Sequence, residues 1–192
     1  AGSQDAKHRS KFSASRAAEV EFERALKKVA RAAGAMVESQ VDGDKIKDNV
    51  ALQKALKQYS EAITPWAKSQ SHKLLATTLK RINSDAAYKK QSRRMGGLLS
   101  QTVNETEVGL MSMALMEEQV ALIKSIPIEA GQRAQKIALE GITEGRRSDE
   151  LAKELMATTS VTENRAKLIA RTETARSNTA LNLARATSVG ST

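Results

Sequence analysis

Arg171, Thr172, Glu173, Arg176 and Asn178 crowd into the stretch Ile169-Ala-Arg-Thr-Glu-Thr-Ala-Arg-Ser-Asn178. A carboxylate beside two guanidinium groups and a hydroxyl has the parts of a general acid or base with an anion clamp. Catalysis would also need a nucleophile or a second acid or base in the same pocket. Glu173 is the last carboxylate of the chain and follows Glu163 by ten residues, and neither histidine lies near it in sequence. The expectation is a non-enzymatic chain in which the cluster is packed as structure. Buried groups of this kind need hydrogen-bond partners from other segments and so fix one packing arrangement.

Other candidate chemistry is thinner. His8 and His72 lie far apart without carboxylates at ligand spacing, and cysteine is absent, so neither a metal site nor any cofactor is expected. Glu105, Glu107, Glu117 and Glu118 read as a solvated face. Gly96-Gly97 lacks the Gly-Lys-Ser/Thr ending of a phosphate-binding loop. The strongest ligand signal is cationic. Residues 1–100 hold 20 Lys and Arg against 10 Asp and Glu, whereas residues 101–192 hold 11 against 12. Lys80, Arg81, Lys89, Lys90, Arg93 and Arg94 are the candidate contacts to double-stranded DNA, bound through phosphates without sequence readout. Six neutralised phosphates would give a log–log salt slope of order −5. Tyr88 stands alone among them, so stacking on single strands is not expected. An acidic surface on a protein partner is the rival ligand for this face, and Met95, Met111, Met113 and Met116 read as core or as an adaptable contact surface.

The elements that must position these residues are helical. Aromatics make up 3% of the 192 residues, alanine and aliphatics supply much of the apolar content, and Pro65 and Pro127 are the only prolines. No apolar run is long enough to span a bilayer, and no membrane partner is expected. Phe22, Leu26, Val29, Ala33 and Met36 mark one face of a helix over about residues 13–39, stopped by Asp42-Gly43-Asp44. Leu52, Leu56, Tyr59, Ile63 and Trp66 repeat the spacing, with a helix ending near Ala62 and a restart capped by Thr64 before Pro65. Leu75, Leu79, Ile82 and Ala86 continue on the next helix until Gly96-Gly97 breaks it. A capping box at Asn104–Glu107 opens a helix with Met111, Leu115, Leu122 and Ile126. Pro127 then starts a shorter helix with Ile128, Gln135, Ile137, Leu139 and Ile142, closed at Gly145.

Ser148 is expected to cap the next helix, and Ser160–Glu163 to open the last. On that last helix, Leu168, Thr172, Ala175, Thr179 and Leu183 form a stripe, small in its middle, against which a neighbouring helix could pack closely. Glu173 and Arg176 are placed for an i,i+3 pair. The pattern predicts an all-α fold: an elongated helical hairpin or bundle followed by a compact C-terminal helical module. Its divisions are a flexible tail over 1–12, a basic helical region over 13–100 and the module over 101–192.

Leu122–Pro127, Leu139–Leu155 and Thr162–Ala186, with Gly145, Ser148, Arg171-Thr172-Glu173 and Asn178 in that order, resemble the phage Mu F-like minor head (head-morphogenesis) proteins over about residues 120–190. The resemblance implies a virion component in the head interior, in the host cytoplasm during assembly. Its expected partners are the portal or capsid protein and packaged DNA. It also implies that Ser148, Arg171, Thr172, Glu173 and Asn178 are structural rather than catalytic. Family domains continue into a segment with a Trp, an Asp and a His, so this sequence, ending at Thr192, is expected to lack the usual C-terminal segment. The alternative is a general, non-sequence-specific nucleic-acid-binding helical protein without a capsid role.

Overall fold

The computed structural model describes residues 14–84 and 107–190. Among them are six helices and one two-stranded hairpin: α1 (Arg16–Glu38), β1 (Val41–Asp42), β2 (Lys45–Ile46), α2 (Asn49–Ala62), α3 (Thr64–Asn83), α4 (Glu107–Thr143), α5 (Ser148–Met156) and α6 (Thr158–Gly190). The fold is all-α, as composition and periodicity predict. The tail, the Gly96-Gly97 break and all of the Asn104–Glu107 capping box but Glu107 lie outside the described residues.

The stripe on α1 is buried as its spacing requires: Phe22, Leu26, Val29 and Ala33 are enclosed and Met36 is half-buried. Ser15 caps this helix by accepting a hydrogen bond from the Ala18 N–H. The turn after it is tighter than a simple stop signal. Val41 pairs with Ile46 and Asp42 with Lys45 in antiparallel register, and Gly43 takes the positive φ of 62° that the two-residue loop demands. Val41 and Ile46 anchor the hairpin by packing on the core.

Four local expectations fail, each for a legible reason. Pro127 does not open a new helix, because α4 runs 37 residues straight through it, about 55 Å of rod. The missing N–H frees the Ile123 carbonyl. Burial of Ile123, Ile126, Pro127 and Ala130 outweighs one lost bond, and the Ser60 hydroxyl donates to the neighbouring Lys124 carbonyl at 2.8 Å. Thr64 is not a cap: Ile63 occupies that position, and the Thr64 hydroxyl is buried without a hydrogen-bond partner. Ser148 is the first helical residue of α5, preceded by Arg147 in extended conformation, and makes no cap. Ser160 lies inside α6, which begins at Thr158, one residue after α5 ends at the Ala157 junction. There the cap comes from another helix: the Glu38 carboxylate accepts from the Thr159 N–H at 2.9 Å. A cap supplied across space leaves no signal at i, i+3 in the sequence.

α6 runs antiparallel to both α1 and α4, and packs most extensively on α1. Three apolar clusters hold the helices, and each draws on residues from both sides of residue 100. The first joins Phe22, Leu26 and Val29 to Ile123, Ile126 and Ile169; the second joins Val37 and Leu56 to Ala134 and Leu155; the third joins Leu75 and Ile82 to Leu115 and Leu181. Among the described residues no helix is long and apolar enough to cross a membrane.

α1 and α6 approach each other closely where Gly34 faces Thr159. A Cβ on Gly34 would lie 2.6 Å from the Thr159 Cα and 2.3 Å from its hydroxyl oxygen. Backbone cannot yield as a flexible side-chain end can. Gly34→Ala would gain up to about 1 kcal/mol of helix propensity. Forcing the helices apart costs more, typically about 1–3 kcal/mol. The variant is expected to melt below the wild type in a thermal scan followed by circular dichroism; an equal or higher Tm would show that the crossing is not tight.

Candidate functional site

Glu173 lies on the inner face of α6, 3% exposed, with Thr174, Ser177 and Asn178 buried beside it. Opposite them, Gln119 of α4 is completely buried. Its side-chain oxygen accepts from the Ser71 hydroxyl of α3 at 2.7 Å, and its amide donates to the Ser177 hydroxyl oxygen at 2.8 Å. A polar seam thus runs α3–α4–α6 through a single glutamine. Among the described residues, the Glu173 Oε2 and the Thr174 hydroxyl lack hydrogen-bond partners. Burial pushes the Glu173 carboxyl above the usual glutamate range; the Arg176 charge and the Gln119 side chain offset part of that rise.

The expected Glu173–Arg176 pair is present only loosely, at 3.9 Å. Arg176 is better placed on Glu118 of α4, at 2.6 Å and half-exposed on both sides. Such a pair is worth at most about 1 kcal/mol, so the seam and not the ion pair explains why polar groups crowd here. Farther down the same interface, Arg165 meets Glu129 at 2.9 Å, and Arg133 donates to the Glu154 carbonyl and the Thr158 hydroxyl at 2.9 and 3.0 Å.

The structure divides the motif. Glu173 and Asn178 point inward, and Asn182 donates to the Asn178 carbonyl at 2.7 Å. Arg171 and Thr172 are exposed. The stripe expected to pack is the outer one, since Leu168 is 55% and Leu183 65% exposed and Thr172, Ala175 and Thr179 face solvent with them. The buried face is turned away from it, onto Ala166, Ile169, Ala170, Glu173, Ser177, Leu181 and Ala184. Both faces carry aliphatic ends and small or polar centres. What selects between them is Gln119, Ser71 and the Gly34 crossing, which lie on other helices.

Of the proposed DNA contacts, Lys80 is exposed and Arg81 half-buried, both in the last turn of α3, where their charge suits the helix dipole. Lys89, Lys90, Arg93 and Arg94 lie outside the described residues, as do His8, Glu105 and Met95. His72 is exposed, and no group of three metal-ligating side chains occurs among the described residues. Leu139 and Ile142, expected on a buried stripe, are exposed, while Met111 and Met116 pack against the third cluster and Met113 faces solvent.

A second cationic surface is assembled only by the fold. Arg16, Arg24, Lys27 and Arg31 share one side of α1, and Lys167 of α6 joins them to line a groove of about 490 Å³ with Glu23. Arg31 pairs with Glu163 across the two helices and Arg16 with Glu19, while Lys27 holds Glu23 at 2.7 Å. The spacing of residues 16, 24, 27 and 31 is present in the sequence, but Lys167 is brought to it only by the antiparallel α1–α6 packing. Compared with protein families, curated proteins and solved structures, the chain has no match.

The raised Glu173 pKa sets a direction for stability. The folded state favours the protonated form, so below the ordinary glutamate pKa the carboxyl carries no penalty. As pH rises through the raised folded value the penalty becomes complete. Glu173→Gln keeps the shape and removes the charge. It is expected to match or exceed wild-type stability at pH 8 and to lose that advantage near pH 4, in urea unfolding at both values. Glu173→Ala, which leaves a void beside Gln119, is expected to lower stability at both. Parallel pH dependences for wild type and Glu173→Gln would refute the charged, buried carboxylate.

Proposed function

We propose that this chain is a non-enzymatic minor head or head-morphogenesis protein of the phage Mu F-like type. In this reading it docks on the portal or inner capsid in the head interior and contacts packaged double-stranded DNA without reading its sequence. The observation that carries the DNA contact is the concentration of charge in the first 100 residues, 20 cationic against 10 anionic, while the rest of the chain is nearly balanced. Support for a structural rather than catalytic Arg-Thr-Glu helix comes from the enclosure of Glu173 and from the division of the motif between an inner and an outer face. A carboxylate 3% exposed, facing Gln119 rather than an open cleft, suits helix registration better than proton transfer to a substrate.

Salt titration of binding to a random-sequence DNA duplex tests this reading. Replacing Lys89, Lys90, Arg93 and Arg94 by Gln is expected to weaken binding and to flatten the log–log slope by up to about 0.9 for each phosphate no longer neutralised. Sedimentation with a purified portal ring tests the docking. Co-migration supports the head role. DNA binding without any portal or capsid association would instead favour a general nucleic-acid-binding protein, and no duplex binding at low salt would remove the DNA contact altogether.

A further inference from the structure

We infer that the groove between α1 and α6, with the exposed cations one turn along each helix, is a second nucleic-acid surface, which grips the phosphate backbone of a duplex through Arg24 and Lys167 of the groove and through Lys28 and Arg171 beside it. The inference rests on the DNA reading above and assigns part of that contact to a place the sequence did not indicate. Arg16, Arg24, Lys27 and Arg31 recur along one side of α1 over fifteen residues, about 22 Å of helix. Laid along a duplex axis, that length spans about six base pairs at ~3.4 Å each.

The charges are not all spent within the protein. Arg16, Lys27 and Arg31 have carboxylate partners, Glu19, Glu23 and Glu163. Arg24 and Lys167, which both line the groove, have no ion-pair partner among the described residues. Lys28 is exposed one turn on from Arg24, and Arg171 is exposed one turn on from Lys167, likewise unpaired among the described residues. Glu23 senses the field: the Lys27 ammonium bonded to it holds its carboxyl below the usual range, with Lys167 and Arg16 acting in the same direction.

The groove contains no aromatic side chain. Single-strand recognition depends on stacking platforms, so a rigid row of cations without them suits duplex backbone. The surface is also distinct from the end of α3. Arg185 donates to the Ile82 carbonyl there at 2.6 Å, and it lies 18 residues beyond Lys167 on α6, ~27 Å along the helix. Two cationic regions separated on that scale would hold one duplex at two points. Arg171 thereby acquires a use that the packing of its own motif does not give it.

The test compares the full chain with a variant carrying Arg24→Gln, Lys28→Gln, Lys167→Gln and Arg171→Gln, and with the Lys89/Lys90/Arg93/Arg94 variant described above. Probes are a random-sequence DNA duplex, a single strand of the same length and vesicles of anionic phospholipid. Because these four residues are exposed and free of ion pairs among the described residues, the variant is expected to melt with the wild type. Its duplex affinity should fall about tenfold or more, with a salt slope shallower by about 3 to 4. Unchanged duplex binding by the groove variant, while the other variant weakens, would overturn the groove and leave the wider DNA reading standing. No binding by wild type at low salt would remove both. Tighter binding to single strands, or four-residue-dependent binding to vesicles but not to duplex, would overturn the assignment to duplex backbone.

Discussion

Everything in this structure depends on the rotation of α6 about its own axis, and that rotation is fixed by a glutamine. Gln119, sealed inside α4, needs a donor for its oxygen and an acceptor for its amide. Ser71 and Ser177 supply them from two other helices. Turning α6 by one residue would withdraw Ser177 and leave Gln119 half-satisfied in an apolar surrounding, at a cost of about 1–3 kcal/mol. The same turn would bring Thr159 off Gly34, where the backbones of α1 and α6 nearly touch.

The seam is not the main source of stability. That comes from the apolar clusters, where Leu26, Leu56, Leu115, Ile123, Ile126, Leu151, Leu155 and Leu181 are completely or almost completely removed from water. Each such side chain contributes about 1.5–3 kcal/mol of transfer free energy, whereas a satisfied hydrogen bond contributes about 1. Hydrophobic burial alone is poorly selective among rotations of a helix whose faces are all partly aliphatic. The buried Glu173 makes the point sharper, since its raised pKa marks an energetic cost rather than a gain. A chain that tolerates this carboxylate inside its core gains registration of three helices from the surrounding polar groups, not extra affinity between them.

How much of this was legible in the sequence follows from where the information lies. The stripes on α1 and α2 were readable because Phe22, Leu26, Val29 and Leu52, Leu56, Tyr59 are strongly apolar against polar neighbours. On α6 periodicity points to the wrong face. Leu168, Thr172, Ala175, Thr179 and Leu183 resemble Ala166, Ile169, Glu173, Ser177 and Leu181 too closely for spacing to separate them. The deciding residues sit at positions 34, 71 and 119. Pro127 misleads for a related reason: its local effect is to end a helix, but burial along α4 offsets the one bond it removes. The α5–α6 junction could not be found locally at all, since its cap is Glu38, 121 residues from Thr159.

The division of the Arg-Thr-Glu segment therefore has a single physical origin. Once Gln119 and Ser71 fix the inner face of α6, Glu173 and Asn178 must be enclosed and Arg171 must face out, because residues two apart on a helix point about 200° from one another. Lys167, one turn before Arg171, is carried outward by the same rotation and lines the groove together with Arg24. The seam that sets the register of the helices is also what aligns the cations of α6 with those of α1. A lesion in the interior at Gln119 would consequently disturb the surface charge pattern as well as the packing, although no cation of the groove touches it.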